Sequence, residues 1–350
     1  MLEPAPYMVS LSSALKERWP GESSTLFVSA RMTQNWDQSD GFRCLPRGMG
    51  AFYELWSVFH KTRPDMVLVA GWQHPVVIAA IILTKIYGGT IVSLSDTWQS
   101  NSKGIKYLLR KFVMSLIDQF APAGSRQRDF LIRLGISKSK ITVINLTVNV
   151  AGMKAFGEEM TTQRRDEFRS GHGLESDDVI VIWVGRFAPE KGLDTLLTAF
   201  DQLLAIRGGV KLLLVGEGDL SIDASEHIKP IGWKSGDDLY SAYASTDIFV
   251  GTSLMESWGL VVNEAMAFGL PVVVADCYGC LDDLVEHNVT GLVAKTGSAD
   301  SFTDCLVKLI DDQQLREDLG ENGKAKISGW TSQMMADRLV AAYSTVKERN

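Results

Sequence analysis

The second half of the chain alternates between short, wholly apolar runs and segments with apolar residues at helical spacing, and few folds can satisfy that pattern. Val179-Ile-Val-Ile-Trp-Val184 is apolar at every position, as expected of a strand buried on both faces. Leu193 to Ile206 then sets Leu193, Leu196, Leu197, Phe200, Leu203 and Leu204 along one helical face. The same pattern predicts strands at Val210 to Val215, Ile248 to Gly251 and Pro271 to Ala275. It predicts helices at Asp237 to Ala244, Leu260 to Phe268 and Ala299 to Asp311. Such alternation is the signature of an α/β, doubly wound parallel sheet.

The first half repeats the alternation less cleanly. Strands are expected at Ser24 to Ser29, Met66 to Val69, Thr90 to Leu94, Gln119 to Ala123 and Ile141 to Ile144. Helices fall at Leu11 to Arg18, Met49 to Thr62, Val76 to Tyr87, Ile105 to Ile117 and Arg126 to Leu134. Composition shifts to Gly, Thr, Arg and Glu over residues 150–178, which puts a domain boundary near residue 150. A long helix, Ser332 to Lys347, closes the chain. The expected division is therefore 1–150, 151–329 and a terminal helical segment, 330–350; 350 residues suit two domains.

Charge separates the two halves. Residues 1–150 hold 17 Lys and Arg against 10 Asp and Glu, a balance of +7, whereas residues 151–350 hold 18 against 32, a balance of -14. No apolar window is long enough to span a bilayer, since the most apolar stretch, Met66 to Leu83, is interrupted by Trp72-Gln-His-Pro75. The first 30 residues lack the layout of a secretion signal, and the four cysteines (Cys44, Cys277, Cys280, Cys305) are too sparse for a disulfide framework. A cytoplasmic protein is expected. Cys277 and Cys280 form a C-x-x-C without a second ligand pair, so no metal site is expected there.

Ligands of open α/β sheets bind at the carboxyl ends of the strands, so the loops there carry the chemistry. After the first apolar run comes Gly185-Arg186-Phe-Ala-Pro-Glu190-Lys191-Gly192, with two cations next to a helix start. Arg186 supplies a planar fork and Lys191 a point charge, both suited to a diphosphate; pairing with Glu190 and Asp194 is the plainer alternative. Gly216-Glu-Gly218 ends the next strand, with glycines that permit close backbone approach. Glu256-Ser-Trp-Gly-Leu260-Val-Val-Asn-Glu264 then opens a helix, and the Glu264 carboxylate can accept two hydrogen bonds from the paired hydroxyls of a ribose.

These segments, with Pro271 after Glu264-Ala-Met-Ala-Phe-Gly-Leu and with Asn288-Val-Thr-Gly291, resemble the donor-binding domain of the retaining family-4 glycosyltransferases (glycosyl transferases group 1) of GT-B fold. The resemblance covers residues 179–294 and is weak over 1–150. It implies two facing Rossmann-like doubly wound domains, with a C-terminal helix crossing back to the first, and a nucleotide-sugar donor held mostly by the second. It also implies no metal and no cofactor. Carried over by position, Arg186 and Lys191 would hold the diphosphate, Glu256 the transferred sugar and Glu264 the ribose. Gly185, Gly216 and Gly218 would line the donor. Amides around Trp258, Gly259 and Leu260 would cap the distal phosphate, and the stretch ending in Trp233 would meet the base.

The start of the chain departs from that family. Its first strand is short or missing, Pro4-Ala-Pro-Tyr7 stands where a glycine-rich loop is usual, and Ser95-Asp96-Thr97-Trp98 replaces a histidine. Tyr7 and Asp96 are the acceptor-side candidates, Asp96 being equally a helix cap.

The activity implied is transfer of a hexose from a UDP- or GDP-sugar to a glycan or lipid-linked acceptor, in bacterial surface polysaccharide synthesis. The alternatives are a noncatalytic sugar-nucleotide-binding partner and a GT-B sugar-nucleotide epimerase. Lys103, Lys106, Arg110 and Lys111 interleave with Ile105, Leu108, Leu109, Phe112 and Val113, so residues 103–113 suit either a helix on an anionic membrane or a packed helix with a solvated basic face. The basic segment carries no nucleic-acid-binding signature, so nucleic acid is not an expected partner.

Overall fold

The structure, a computed structural model, describes residues 5–28, 43–71, 74–99 and 104–349, the side chains of 105–107 aside. The chain divides into two units, residues 1–148 with 330–350, and residues 149–329.

The first unit begins with α1 (Pro6–Arg18) and α2 (Met49–Thr62). It continues through β1 (Met66–Ala70), α3 (Pro75–Ile86), β2 (Thr90–Ser95), α4 (Ile105–Ser115), β3 (Gln119–Pro122) and α5 (Ser125–Arg133). Among the described residues its sheet has three parallel strands in the order β1-β2-β3. One apolar cluster joins α2 to α3 through Leu55, Phe59, Val76 and Ala80, and a second joins α3 to α4 through Val77, Ile81, Val113 and Met114. Right-handed crossovers from β1 to β2 to β3 place α3 and α4 on one face of the sheet, with α2 beside α3.

Two expected strands are not strands here. Residues 24–28 contribute only an isolated bridge, Phe27 to Cys44, and Ser29 lies outside the described residues. Ile141 makes a single bridge to Phe120, extended by amides of Thr142 and Ile144 donating to the carbonyls of Phe120 and Pro122. Both segments are apolar enough for a strand, but neither has a partner continuous enough to make a ladder.

The second unit opens with α6 (Val150–Glu159) and α7 (Thr162–Gly171), which fill the interval where composition had marked only a boundary. Their polar faces hid the helical period. The unit continues through β4 (Val179–Val184), α8 (Leu193–Leu204), β5 (Val210–Val215), β6 (Ile228–Pro230), α9 (Gly236–Ala244) and β7 (Ile248–Gly251). It ends with α10 (Leu260–Ala267), β8 (Val272–Ala275), α11 (Leu281–Leu284), β9 (Leu292–Ala294), α12 (Ala299–Asp311) and α13 (Gln313–Ile327). All pairings are parallel, in the order β6-β5-β4-β7-β8-β9. Strands β4, β5, β7 and β8 are almost wholly buried, which explains their apolar sequence, broken only by Lys211 of β5.

At the amino ends of β4 and β7 a buried arginine closes the sheet. Arg169 of α7, 3 % exposed, donates to Asp247 at 2.9 Å and to the carbonyls of Ser245, Ser176 and Asp178, while Asp247 accepts the Ile180 amide at 2.8 Å. The last helix, α14 (Ser332–Lys347), belongs to the first unit. Its buried residues Met335, Ala336, Leu339, Ala342 and Val346 follow helical spacing, and it packs against α1, β2 and β3. No helix among the described residues is long and apolar enough to cross a membrane.

Candidate active site at the switch point of the second sheet

The strand order reverses between β4 and β7, because β5 and β6 extend the sheet on one side and β8 and β9 on the other. Crevices form at such switch points, at the carboxyl ends of the strands. Here they are framed by the loop 185–192 after β4 and the loop 252–259 after β7.

The loops after β4, β5 and β7 are knitted together by backbone and glycine packing. The Gly185 amide donates to Val215 O at 3.0 Å, the Phe187 amide to Glu217 O at 2.8 Å, and the Leu254 amide to Glu190 O at 2.9 Å. Thr252 Oγ1 donates to Lys191 O at 3.1 Å and accepts from Trp183 Nε1 at 3.2 Å. A Cβ at Gly216 would stand 1.8 Å from Gly185 O, one at Gly218 would stand 2.3 Å from Phe187 O, and one at Gly192 would stand 2.1 Å from Thr252 O. These glycines therefore let loop meet loop. The sequence suggests close approach to a ligand as their reason; the structure shows close approach of backbone to backbone.

The frame brings Lys191 and Glu256 into contact, with Nζ 2.6 Å from Oε2 and both side chains mostly buried. Arg186 pairs instead with Glu190, four residues on, and both side chains are more than 40 % exposed. Such a surface pair is worth about 0–1 kcal/mol, so Arg186 can leave Glu190 for another anion at little cost. The plainer pairing anticipated for Arg186 is thus present, but Lys191 pairs with Glu256 and not with Asp194. Glu190 is held below the usual carboxylate range by its own backbone amide, aided by Arg186.

Helix α10 starts at this crevice. Gly259 takes φ 100°, a left-handed conformation, at its N-cap. The Trp258 side chain is buried, donating from Nε1 to Asn263 Oδ1 at 3.0 Å, so only the backbone of this residue can serve a ligand; Leu260 is the first helical residue. One turn further, Glu264 accepts the Tyr243 hydroxyl at 2.8 Å. Burial pushes the Glu264 carboxyl up to about 7, against the lowering effect of Tyr243. The side chain is half-buried, and one of its oxygens already serves Tyr243. Trp233 is exposed and follows Gly232, whose carbonyl accepts from the Gly216 amide at 2.9 Å.

Asp96 and Tyr7 belong to the first unit. Asp96 is exposed directly after β2 and caps no helix, since α4 begins nine residues later; Tyr7 is half-buried in the first turn of α1, where a loop had been expected. Cys277 and Cys280 are free thiols, and no group of metal-ligating side chains gathers among the described residues. Sequence reasoning missed Thr252, Ser253, Tyr243 and Tyr278. Only Tyr278 had a visible signal, lying inside the C-x-x-C, where attention goes to the cysteines.

The basic segment differs from its expected form. Lys103, and the Lys106 side chain, lie outside the described residues. Arg110 is buried, its guanidinium 5.9 Å from the Phe130 ring centroid, because the α4 face that carries it packs toward α5. The exposed face instead carries Leu108, Leu109 and Phe112 beside Lys111.

Two Rossmann-like units, the second with cation-bearing loops at its switch point, define the GT-B fold. Solved structures share it across nearly the whole chain. A glycosyltransferase from Rickettsia africae matches with TM-score 0.80 and 15% identity, covering 98% of this chain and 95% of that one. Anabaena HepE in complex with UDP-glucose matches with TM-score 0.76 and 18% identity, covering 97% and 96%.

Residues 164–326 match the family described as glycosyl transferases group 1. The Staphylococcus aureus capsular polysaccharide biosynthesis glycosyltransferase CapM is 27% identical over 304 residues, 82% of this chain and 78% of CapM. A GDP-mannose-dependent phosphatidylinositol monomannoside mannosyltransferase from Corynebacterium glutamicum is 29% identical over 194 residues. That match covers 51% of this chain and 50% of the relative, and several other curated relatives are likewise matched over about half of their length.

Proposed function

We propose that the protein is a retaining, metal-independent hexosyltransferase that uses a UDP- or GDP-sugar and a glycan or lipid-linked acceptor in bacterial surface polysaccharide synthesis. The meeting of Lys191 and Glu256 at the switch point of a group 1 glycosyltransferase sheet carries this reading. HepE's complex with UDP-glucose, the capsular role named for CapM, and a Campylobacter jejuni relative named for a diphospho-undecaprenol acceptor support the substrate classes.

In this mechanism the diphosphate lies against Arg186, Lys191 and the first amides of α10, where cations and a helix N-terminus favour an anion. Lysine has three N–H donors, so Lys191 can keep Glu256 while binding a phosphate oxygen. Glu256 accepts hydroxyls of the transferred sugar, Glu264 those of the ribose, and the Trp233 segment meets the base. The bond from the anomeric carbon to the diphosphate breaks as the acceptor oxygen attacks, and the acceptor proton passes to the departing diphosphate. Preorganised cations stabilise the charge that develops there. Asp96 and Tyr7 are assigned to the acceptor side.

The protein is further proposed to work in the cytoplasm, on the inner membrane face. Exposed Met49, Tyr53 and Trp56 of α2, Ile82 and Ile86 of α3, and Leu108, Leu109 and Phe112 of α4 support this, since these three helices are neighbours in one layer. Lys61 and Lys111 on the same helices are suited to anionic headgroups, whereas Lys85 is paired with Asp118.

The test is release of nucleotide from UDP-glucose and GDP-mannose by purified protein, with and without lipid-linked acceptors. Lys191→Ala should lower turnover 100-fold or more, on the order of 3 kcal/mol. Equal turnover in a folded Lys191→Ala protein rejects the mechanism. Nucleotide binding without release, with any acceptor, favours the noncatalytic alternative.

A further inference from the structure

Tyr278, in the turn after β8, is 2 % exposed and packs against the loop that carries Glu256. Its ring occupies space that two other residues would need for a side chain. A Cβ at Gly259 would stand 2.5 Å from Tyr278 Cδ1, and one at Gly251 would stand 2.5 Å from the tyrosine oxygen. The backbone follows the same alignment, with the Gly279 amide donating to Glu256 O at 3.1 Å and the Cys280 amide to Trp258 O at 3.0 Å. The Cys277 thiol adds a hydrogen bond to Ser253 O at 3.0 Å. The loop 253–259 is therefore laid along the turn 277–280.

The tyrosine hydroxyl extends this support to the carboxylate. It lies 3.2 Å from Ser253 Oγ, and Ser253 Oγ donates to Glu256 Oε2 at 3.3 Å. A serine hydroxyl has one proton. With that proton directed at the carboxylate, the serine oxygen must accept from Tyr278. Lys191 donates to the same Oε2 at 2.6 Å, so two donors converge on one oxygen and fix the rotation of the carboxylate.

We propose that Tyr278 is a positioning residue for Glu256: its ring sets the turn at Gly259, and its hydroxyl orients the Ser253 proton onto the Glu256 carboxylate. The effect on turnover rests on the sugar-binding role of Glu256 given above; the positioning itself does not, and it can be measured without substrate.

Tyr278→Phe removes the hydroxyl and keeps the ring. The side-chain carboxyl of Glu256 is followed by carbon-13 NMR at one neutral pH in protein labelled at glutamate, its signal assigned by its loss in Glu256→Gln. Loss of the tyrosine donor frees the Ser253 proton to turn from the carboxylate, so the Glu256 signal should move in Tyr278→Phe. Ser253→Ala should move it the same way, and the double variant no further than Ser253→Ala alone, because both changes break one relay. UDP-glucose hydrolysis should fall about fivefold or more in kcat at little-changed KM. An unmoved Glu256 signal in Tyr278→Phe, or additive movements in the double variant, overturns the proposal. Unaltered turnover in Glu256→Gln would instead reject the sugar-binding role and leave the relay standing.

Discussion

Glu264 is the side chain most at odds with its surroundings. Its carboxyl is pushed up to about 7, above an ordinary value near 4.5, so between those two pH values the folded protein keeps a proton that the unfolded chain has lost. Stability must therefore decline as pH rises from about 4.5 to about 7 and level off beyond. Glu264→Gln has no proton to lose. Relative to the parent it should be about 1–3 kcal/mol more stable at pH 8 than it is at pH 5, as read by urea unfolding at the two pH values. Titration with UDP should show a larger gain in affinity from pH 6 to pH 8 in the parent than in the variant, ionisation of the terminal phosphate being common to both. Gly216 is constrained in another way, because its φ of 146° and the 1.8 Å approach to Gly185 O exclude a side chain. Gly216→Ala should cost about 2 kcal/mol or more and weaken UDP binding, since the loop bearing Arg186 must move; thermal melts with and without UDP would show both.

At the scale of elements, the two ends of the second sheet do different work. Its amino end is closed by Arg169 and Asp247, far along the strands from the switch-point loops. Asp247→Asn leaves a buried guanidinium without its countercharge and should cost about 3–5 kcal/mol in urea unfolding. Nucleotide affinity in the folded variant should be unchanged; a parallel loss of affinity would show that the ends are coupled. In the first unit, the apolar outer surface of α2, α3 and α4 predicts binding to vesicles containing anionic lipid and weaker binding to neutral ones, with partial release by moderate salt. Because burial removes Arg110 from the contact, Trp56→Gln with Phe112→Gln should abolish sedimentation with vesicles, while Arg110→Gln should act through folding instead. Vesicle binding unaffected by the paired change would exclude this face.

At the scale of the whole molecule, sequence order and unit membership part company, since α14 lies far along the chain from the strands it covers. Removing residues 330–350 should therefore raise hydrogen exchange in α1, β2 and β3 and leave β4, β5, β7 and β8 protected. Exchange rising first in the second unit would contradict the assignment.

The buried strands of the second unit and the cation-bearing loops after them were legible in the sequence because full burial favours apolar runs, interrupted here only at Lys211, and a helix start demands special residues. Val179–Val184, Val210–Val215 and Ile248–Gly251 occur where those runs predict them. The polar helices α6 and α7, the bridge-only segments at Phe27 and Ile141, and the burial of Arg110 were not legible, because each depends on a partner distant in sequence. The candidate site divides the same way. Residue types at Arg186, Lys191, Glu256 and Glu264 could be read one loop at a time. That Lys191 meets Glu256, that Tyr243 caps Glu264, and that Tyr278 and Ser253 stand against Glu256 were decided only when parallel strands brought separate loops to one edge of the sheet, where distance in space no longer follows distance along the chain.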